Sequence, residues 1–197
     1  MHSSLGISAN KKLVGGLIAY LCFRMPDIQL RKLLKALYLI DEESVRQRGF
    51  PLTWLDYYAW KKGPVAPEVY AVKDGSFADF VVCKRGKDGK FHLNSVKQAA
   101  FLVDQDMMET SEWERELIDS VIDNCKCKSA DELTDETHDA NSLWSMTVRE
   151  YGIVFDASSE SDVILDLNRL NLDEDSREVY QEAMECTQLK ALFNTQA

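Results

Sequence analysis

The sequence contains few of the residues from which disulfide frameworks and metal sites are built. Its 197 residues include five cysteines, an odd number, and three histidines. A secreted, disulfide-stabilised domain normally carries an even and denser set of cysteines. The closest cysteine pair, Cys125 and Cys127, has one residue between its members, which is shorter than the spacing of a zinc knuckle. We therefore expect reduced thiols, a cytoplasmic protein, and neither a metal nor another cofactor.

Long apolar runs and the common catalytic motifs are also missing. No apolar run reaches the roughly 18 residues that a membrane-spanning helix needs. The apolar stretch 13–23 lacks the basic flank and small-residue cleavage site of a signal peptide, so it is typical of a core helix. The chain has no glycine-rich nucleotide loop, no G-x-S-x-G and no H-E-x-x-H. We therefore expect neither a membrane segment nor an enzyme of a familiar class.

The charge of the chain is distributed unevenly between its halves. Residues 1–100 hold 16 basic and 9 acidic residues, a net charge of +7, whereas residues 101–197 hold 7 and 24, a net charge of −17. The two halves can pack together and partly neutralise each other, or an acidic surface can await a basic partner. The overall charge of −10 disfavours a nucleic-acid partner, since such domains normally present a basic surface.

Apolar spacing predicts mainly helices. Helical periodicity covers 10–23, where Gly15 and Gly16 indicate a close helix–helix crossing, and a second helix is expected to open at Pro26-Asp27 and end at Gly49. Serine-glutamate capping boxes predict helices after Ser111 and Ser129. Three further helical segments are expected, one capped by Asn141 or Ser142, one over 163–170 and one over 176–193.

A small β component is expected within this helical chain. The aromatic stretch 53–61 can form a short strand, and a helical turn is expected over 66–72. The segments 80–83 and 91–93 flank Asp88-Gly89, a pair typical of a hairpin turn, and the chain after Asn94 is expected to return to helix. The fold class is thus mainly α, one compact helical domain with a small inserted antiparallel sheet or hairpin. We divide it into a domain over 1–155 and an acidic helical extension over 156–197, packed on the same domain.

Two titratable residues stand out. Asp41 falls on the apolar stripe of the second helix, so its carboxylate is buried and hydrogen-bonded, or borders a ligand or partner cleft. His138 ends a helix among several acids and can donate to a carbonyl or carboxylate there. A role as a general base would need a nucleophile that the sequence does not reveal. We expect both side chains to be substantially buried and hydrogen-bonded.

Several motifs together resemble a known family. They are a leucine-rich helix ending in Tyr-Leu-x-Asp, an aromatic strand ending in Gly-Pro-Val, and a distant Thr-His followed by Trp. The residues that carry the pattern are Leu34, Tyr38, Asp41, Trp60, Gly63, Pro64, Val65, Thr137, His138 and Trp144. Over about residues 10–150 this pattern is similar to the Panacea domain, the SocA-like or phage-associated antitoxin family. Leu143 departs from it, since a proline often precedes the tryptophan, and residues after about 150 have no counterpart.

The resemblance implies a function in protein binding. Members of the family commonly act as antitoxins that neutralise toxins encoded beside them, and at least one branch delivers its toxin to an ATP-dependent protease. The leading hypothesis is therefore an antitoxin that binds a cognate toxin from a neighbouring gene, without catalysis, cofactor or metal. The alternatives are a protease adaptor and, less favoured, an enzyme centred on His138. The sequence leaves a homo-oligomer open.

Overall fold

The computed structural model describes residues 7, 9–96, 110–156 and 158–194. The fold is mainly helical with a minor antiparallel β component, as the sequence predicts. Within the described residues this component forms two small sheets, where one was expected. The α-helices run α1 Lys11–Arg24, α2 Leu30–Arg48, α3 Pro67–Tyr70, α4 Glu112–Lys126, α5 Ala130–Thr137, α6 Leu143–Glu150 and α7 Glu174–Asn194. The strands are β1 Ile28–Gln29, β2 Tyr58–Trp60, β3 Gly63–Val65, β4 Val81–Arg85 and β5 Phe91–Ser95, and 3-10 turns cover Ala71–Asp74 and Leu167–Leu170.

The central element is α2, which contacts α1, α4, α5 and β3. Its predicted apolar stripe lies in the core, because side chains three and four positions apart share one face. Gly49 ends the helix in the left-handed conformation at φ 89°, and its N–H donates to the carbonyl of Val45. Both predicted capping boxes are formed, at Ser111 before α4 and at Ser129 before α5. Ser142, rather than Asn141, caps α6.

The strands form a three-stranded sheet in the order β1-β5-β4 and a two-stranded sheet of β2 and β3. The predicted hairpin at Asp88-Gly89 connects β4 to β5. Strand β2 pairs with β3 in the register Trp60 to Gly63 and Tyr58 to Val65. The other edge of β2 is covered by the segment 159–165, because Ala59 N donates to Val163 O and Lys61 N to Ser159 O.

The structure corrects several element predictions. The start of α2 is not at Pro26-Asp27, because β1 intervenes and pairs with β5. The prediction of a helix over 163–170 is wrong. The first part of this segment is extended and lies along β2, and only Leu167–Leu170 forms a 3-10 turn. The closely approaching group at Gly15 is the ring of Phe80, not a second helix; a Cβ there would lie 2.5 Å from the ring. Residues 97–109, where a return to helix was expected, lie outside the described part of the chain.

Ion pairs join the basic and acidic halves of the chain. Arg24 of α1 pairs with Asp119 and Asp123 of α4, and Arg48 of α2 pairs with Glu114. The first explanation of the charge split, mutual neutralisation, therefore holds for α4. The acids at the start of α7 are exposed to solvent, and an acidic surface for a basic partner stays a prediction there.

The C-terminal helix is anchored near its start. The ring of Tyr180 is buried, and its centroid lies 5.3 Å from that of Trp54 in an edge-to-face contact. Gly49 closely approaches Val179. The boundary between a domain over 1–155 and an extension over 156–197 stays a prediction.

Candidate functional site

The carboxylate of Asp41 organises the segment that follows α2. It is fully buried, and its Oδ1 accepts hydrogen bonds from Leu52 N and Thr53 N, both at 2.8 Å. Its Oδ2 accepts from Tyr57 Oη at 2.8 Å and from Thr53 Oγ1. Burial raises the pKa of Asp41, and these hydrogen bonds oppose that rise. The prediction that Asp41 is buried and hydrogen-bonded is confirmed, since both carboxylate oxygens accept hydrogen bonds from buried donors.

Tyr38 belongs to the same buried region. Its ring packs edge-to-face on that of Tyr57, with centroids 5.3 Å apart. Burial raises the pKa of Tyr38 well above its usual value, and the neighbouring Glu42 raises it further. Tyr38 and Asp41 therefore join α2 to the aromatic segment that leads into β2.

The turn from β2 into β3 requires a glycine at position 63. Gly63 has φ 98°, a conformation that residues with a side chain rarely adopt. A Cβ at this position would clash with Lys35 Nζ and lie 2.9 Å from Thr137 Oγ1. Glycine is thus needed at position 63 for the backbone conformation, and also because side chains of α2 and α5 lie close to this point of the turn. Gly63 and Pro64 thus form a sharp corner, at which β3 begins.

The ammonium of Lys35 lies beneath this corner. The side chain is only 1% exposed, and Nζ donates a hydrogen bond of 3.2 Å to the carbonyl oxygen of Pro64. Burial lowers the pKa of Lys35 to about 7, and the charge of Arg31 contributes. Sequence reasoning missed this residue, because Lys35 falls outside the apolar stripe and follows two basic residues on an apparently polar face. The burial of Lys35 becomes apparent only when β3 is placed over α2.

His138 and Trp144 meet on the outer side of the corner. Their rings stack in parallel with centroids 3.7 Å apart, and Trp144 Nε1 donates to the carbonyl of Trp60 at 2.9 Å. His138 caps the C-terminal end of α5, as expected. Thr137, just before it, donates from Oγ1 to the carbonyl of Thr134 at 3.0 Å.

The remaining expectation for His138 is corrected. The side chain is half-buried, and its Nε2 has no hydrogen-bond partner among the residues that the structure describes. Burial lowers the pKa of His138 to about 4, and the charges of Lys35 and Lys62 add to this effect. The ring is thus neutral near pH 7. The indole of Trp144, and not the imidazole of His138, donates a hydrogen bond to the corner. The imidazole stacks against the face of that indole.

A groove opens next to the corner, with a volume of about 350 Å³. Its apolar surface comes from three buried aliphatic side chains and three half-buried aromatic rings. These are Leu30, Leu34, Val65, Trp60, Tyr70 and Phe91. Arg31, Lys62, Lys90 and Glu160 supply the charged groups. Of the predicted motif residues, Leu34, Trp60 and Val65 line this groove. Asp41 and Tyr38 instead lie in the core, against the segment that connects α2 to β2.

The family comparison agrees with this geometry. The model of a family described as antitoxin SocA-like, Panacea domain, matches residues 33–145. This chain belongs to that family. Comparison with curated proteins and with solved structures finds no match. The matched range covers α2 from Leu33 onward, the Gly63-Pro64 corner, α4, α5 and the first residues of α6. Every motif residue named from the sequence falls inside it.

The imidazole of His138 lies against Trp144, and no described carboxylate hydrogen-bonds to it. The described residues contain no cluster of three or more side chains suited to hold a metal. In the same part of the chain, no helix is both long and apolar enough to cross a bilayer.

Proposed function

We propose that this chain is an antitoxin that neutralises a cognate toxin protein by direct contact and without catalysis. The observation that carries the proposal is membership of the SocA-like Panacea family over residues 33–145. Several motif residues of that range form the corner or line the groove beside it, which supports a role in recognition. The proposal places the protein in the cytoplasm, where its described cysteines, all free, are stable as thiols.

The toxin is expected to be the product of a gene adjacent to that of this chain. Each neighbouring gene is placed under a tightly controlled promoter in a bacterial host, alone and together with this chain. One neighbour should stop growth when expressed alone, and co-expression should restore growth. The same pair should co-purify as a complex. If no neighbour is both toxic and rescued, the proposal fails.

A matched pair of variants ensures that rescue reflects the folded protein. Leu37 is fully buried on α2, so Leu37→Asp should unfold the chain and abolish rescue. Leu172, 87% exposed, receives the same substitution as the control and should leave rescue intact. Rescue that persists in Leu37→Asp would point to an effect of the RNA or of gene dosage, and would contradict neutralisation by protein contact.

The fate of the toxin separates neutralisation by contact from delivery to a protease. Under our proposal the half-life of the toxin is unchanged or longer when this chain is present, because the complex sequesters it. A half-life that shortens only in the presence of this chain and an active ATP-dependent protease would instead identify an adaptor.

A further inference from the structure

We infer that the groove beside the Gly63-Pro64 corner binds an acidic segment of a partner protein, with an apolar side chain inserted between carboxylates. This inference rests on the proposed function, since it takes that segment to belong to the toxin. It adds the chemistry by which the toxin is recognised.

The base of the groove selects an apolar side chain. Leu30, Leu34 and Val65 present aliphatic surface, each less than a tenth exposed. Trp60 and Tyr70 form one wall, with ring centroids 5.2 Å apart in an edge-to-face contact. The volume of about 350 Å³ is at the low end of the range for ligand pockets, which suits one or two side chains and not a folded element.

The rim of the groove selects negative charge. Of the described residues, three cations and one anion line it, although the chain as a whole has a net charge of −10. Lys62 and Lys90 are exposed and form no ion pair within the described ranges. Arg31 pairs with Asp131 at 2.6 Å, but the Asp131 side chain is 77% exposed, and such pairs contribute little. Two cations are therefore available to an incoming carboxylate.

The start of α2 adds to this potential. Gln29 and Leu30 line the groove, so the N-terminus of a 19-residue helix lies at its edge. The side chain of the N-cap residue, Gln29, makes no capping hydrogen bond, and the first turn of the helix contains no acidic residue. The N-terminal end of a helix carries a partial positive charge that favours anions. The helix thus supports the same sign of ligand as the two lysines.

The distribution of the cations favours a peptide over a nucleotide. Lys62 comes from the turn between β2 and β3, and Lys90 from the hairpin between β4 and β5. Separate cations on two elements, with apolar surface between them, complement a chain whose carboxylates flank an apolar side chain. Nucleotide phosphates are more often held by successive backbone N–H groups of a glycine-rich loop.

Fluorescence anisotropy on the whole chain tests the inference without the toxin. The probes are short labelled peptides in which glutamates flank a central leucine, phenylalanine or tryptophan. The comparison peptides carry lysines in place of the glutamates, or serine at the centre. At least one acidic apolar probe should bind saturably, more tightly than its serine and lysine counterparts, and more weakly as salt rises.

Two double variants of equal charge locate the binding. Lys62→Glu with Lys90→Glu reverses the rim, and the affinity should fall by about tenfold or more. Lys84→Glu with Lys87→Glu changes the net charge equally at exposed lysines that do not line the groove, and should weaken binding much less. Thermal unfolding of both variants verifies that they fold.

Three results would overturn the inference. They are no saturable binding of any acidic probe up to about 1 mM, equal loss of affinity in both double variants, or binding of adenosine monophosphate alone that the rim variant abolishes. The last result would assign the groove to a nucleotide. Because these measurements do not involve a toxin, a failed rescue by this chain would refute the proposed function while leaving the peptide result intact.

Discussion

Lys35 Nζ lies 3.2 Å from the carbonyl oxygen of Pro64 and donates a hydrogen bond to it from a fully buried position. This contact joins the central helix α2 to the corner that begins β3. Nearby, a Cβ added to Gly63 would strike both Lys35 and Thr137, so three elements converge at this point. The family motif at Gly63-Pro64 therefore has a physical basis in the packing around one buried lysine side chain.

The first prediction concerns the pH dependence of stability that Lys35 produces. Its pKa is about 7 in the folded chain and 10.5 when unperturbed. Between these values the unfolded chain binds more protons, so the contribution of Lys35 to the free energy of unfolding rises with pH. Lys35→Met should remove this contribution. The difference in unfolding free energy, wild type minus variant, should increase by up to about 1.4 kcal/mol per pH unit in that window.

Denaturant titrations at several pH values across the window measure this difference. Subtracting the variant cancels the titration of cysteines and tyrosines, which is common to both proteins. Lys84→Met, at an exposed lysine of β4, is the control and should leave the wild-type pH dependence unchanged. A pH-independent difference between wild type and Lys35→Met would contradict the prediction.

The second prediction separates backbone strain from crowding at Gly63. Gly63→Ala introduces a Cβ at positive φ and also forces it against Lys35 Nζ. Gly75→Ala introduces a Cβ at nearly the same φ, 100°, where no atom of the described residues lies within 4 Å. Gly75→Ala should cost about 1–2 kcal/mol in unfolding free energy, and Gly63→Ala clearly more. Equal losses in the two variants would show that α2 and α5 yield freely at the corner.

The third prediction concerns the carboxylate of Asp41. Asp41→Ala leaves two backbone N–H groups and two hydroxyls without their buried acceptor, and should lower the unfolding free energy by roughly 3 kcal/mol or more. Asp41→Asn retains one acceptor oxygen and should cost less. Asp79→Ala, at an exposed aspartate, is the control for removing a charge. An Asp41→Ala variant that keeps full stability but loses rescue would instead give the carboxylate a direct functional role.

The fourth prediction tests whether the ring stacking of His138 or the hydrogen-bonding capacity of its nitrogens matters for stability and rescue. Because the ring stacks on Trp144 and its Nε2 has no partner among the described residues, His138→Phe should preserve the stack. The unfolding free energy should stay within about 1 kcal/mol, and rescue should persist. His138→Ala removes the stack and serves as the comparison. Loss of rescue in a stable His138→Phe variant would favour the alternative of an enzyme centred on this histidine.

The features that the sequence predicts correctly depend on local patterns. The buried stripe of α2 follows from spacing along one helix, and the caps at Ser111 and Ser129 follow from residues three positions apart. The hairpin at Asp88-Gly89 follows from adjacent turn residues. In each case the determining residues lie within a few positions of one another, so their chemistry shows in the sequence.

The features that sequence reasoning misses depend on distant partners. Strand β1 exists because Ile28 and Gln29 pair with Leu93 and His92. The segment around Ile164 has an apolar pattern compatible with a helix, but pairing with β2 holds it extended. Lys35 looks like a surface residue until Pro64 is placed above it. Apolar spacing along the chain contains no information about such neighbours.

The last prediction tests how much of the charge split is satisfied internally. Asp119 on α4 pairs with Arg24 and accepts a hydrogen bond of 2.6 Å from Tyr20 Oη, whereas Glu182 on α7 is exposed. Asp119→Lys and Glu182→Lys change the net charge equally. Asp119→Lys should destabilise the chain by about 1–2 kcal/mol, because it breaks these contacts and places a cation beside Arg24. Glu182→Lys should change stability by less than about 0.5 kcal/mol, as is usual at exposed sites.

Denaturant unfolding at low and high salt measures both effects. Salt should reduce the part of the Asp119→Lys loss that comes from repulsion, because it screens exposed charges over about 10 Å at 0.1 M. Equal, small losses in both variants would contradict neutralisation between the halves.

Once a toxin is identified, stopped-flow binding tests whether the exposed acids of α7 speed its association with this chain. If Glu182→Lys slows association without affecting stability, and the wild-type rate falls with salt, the acidic helix α7 steers a basic surface of the partner. If the rate is the same in both proteins and independent of salt, α7 takes no part in the encounter.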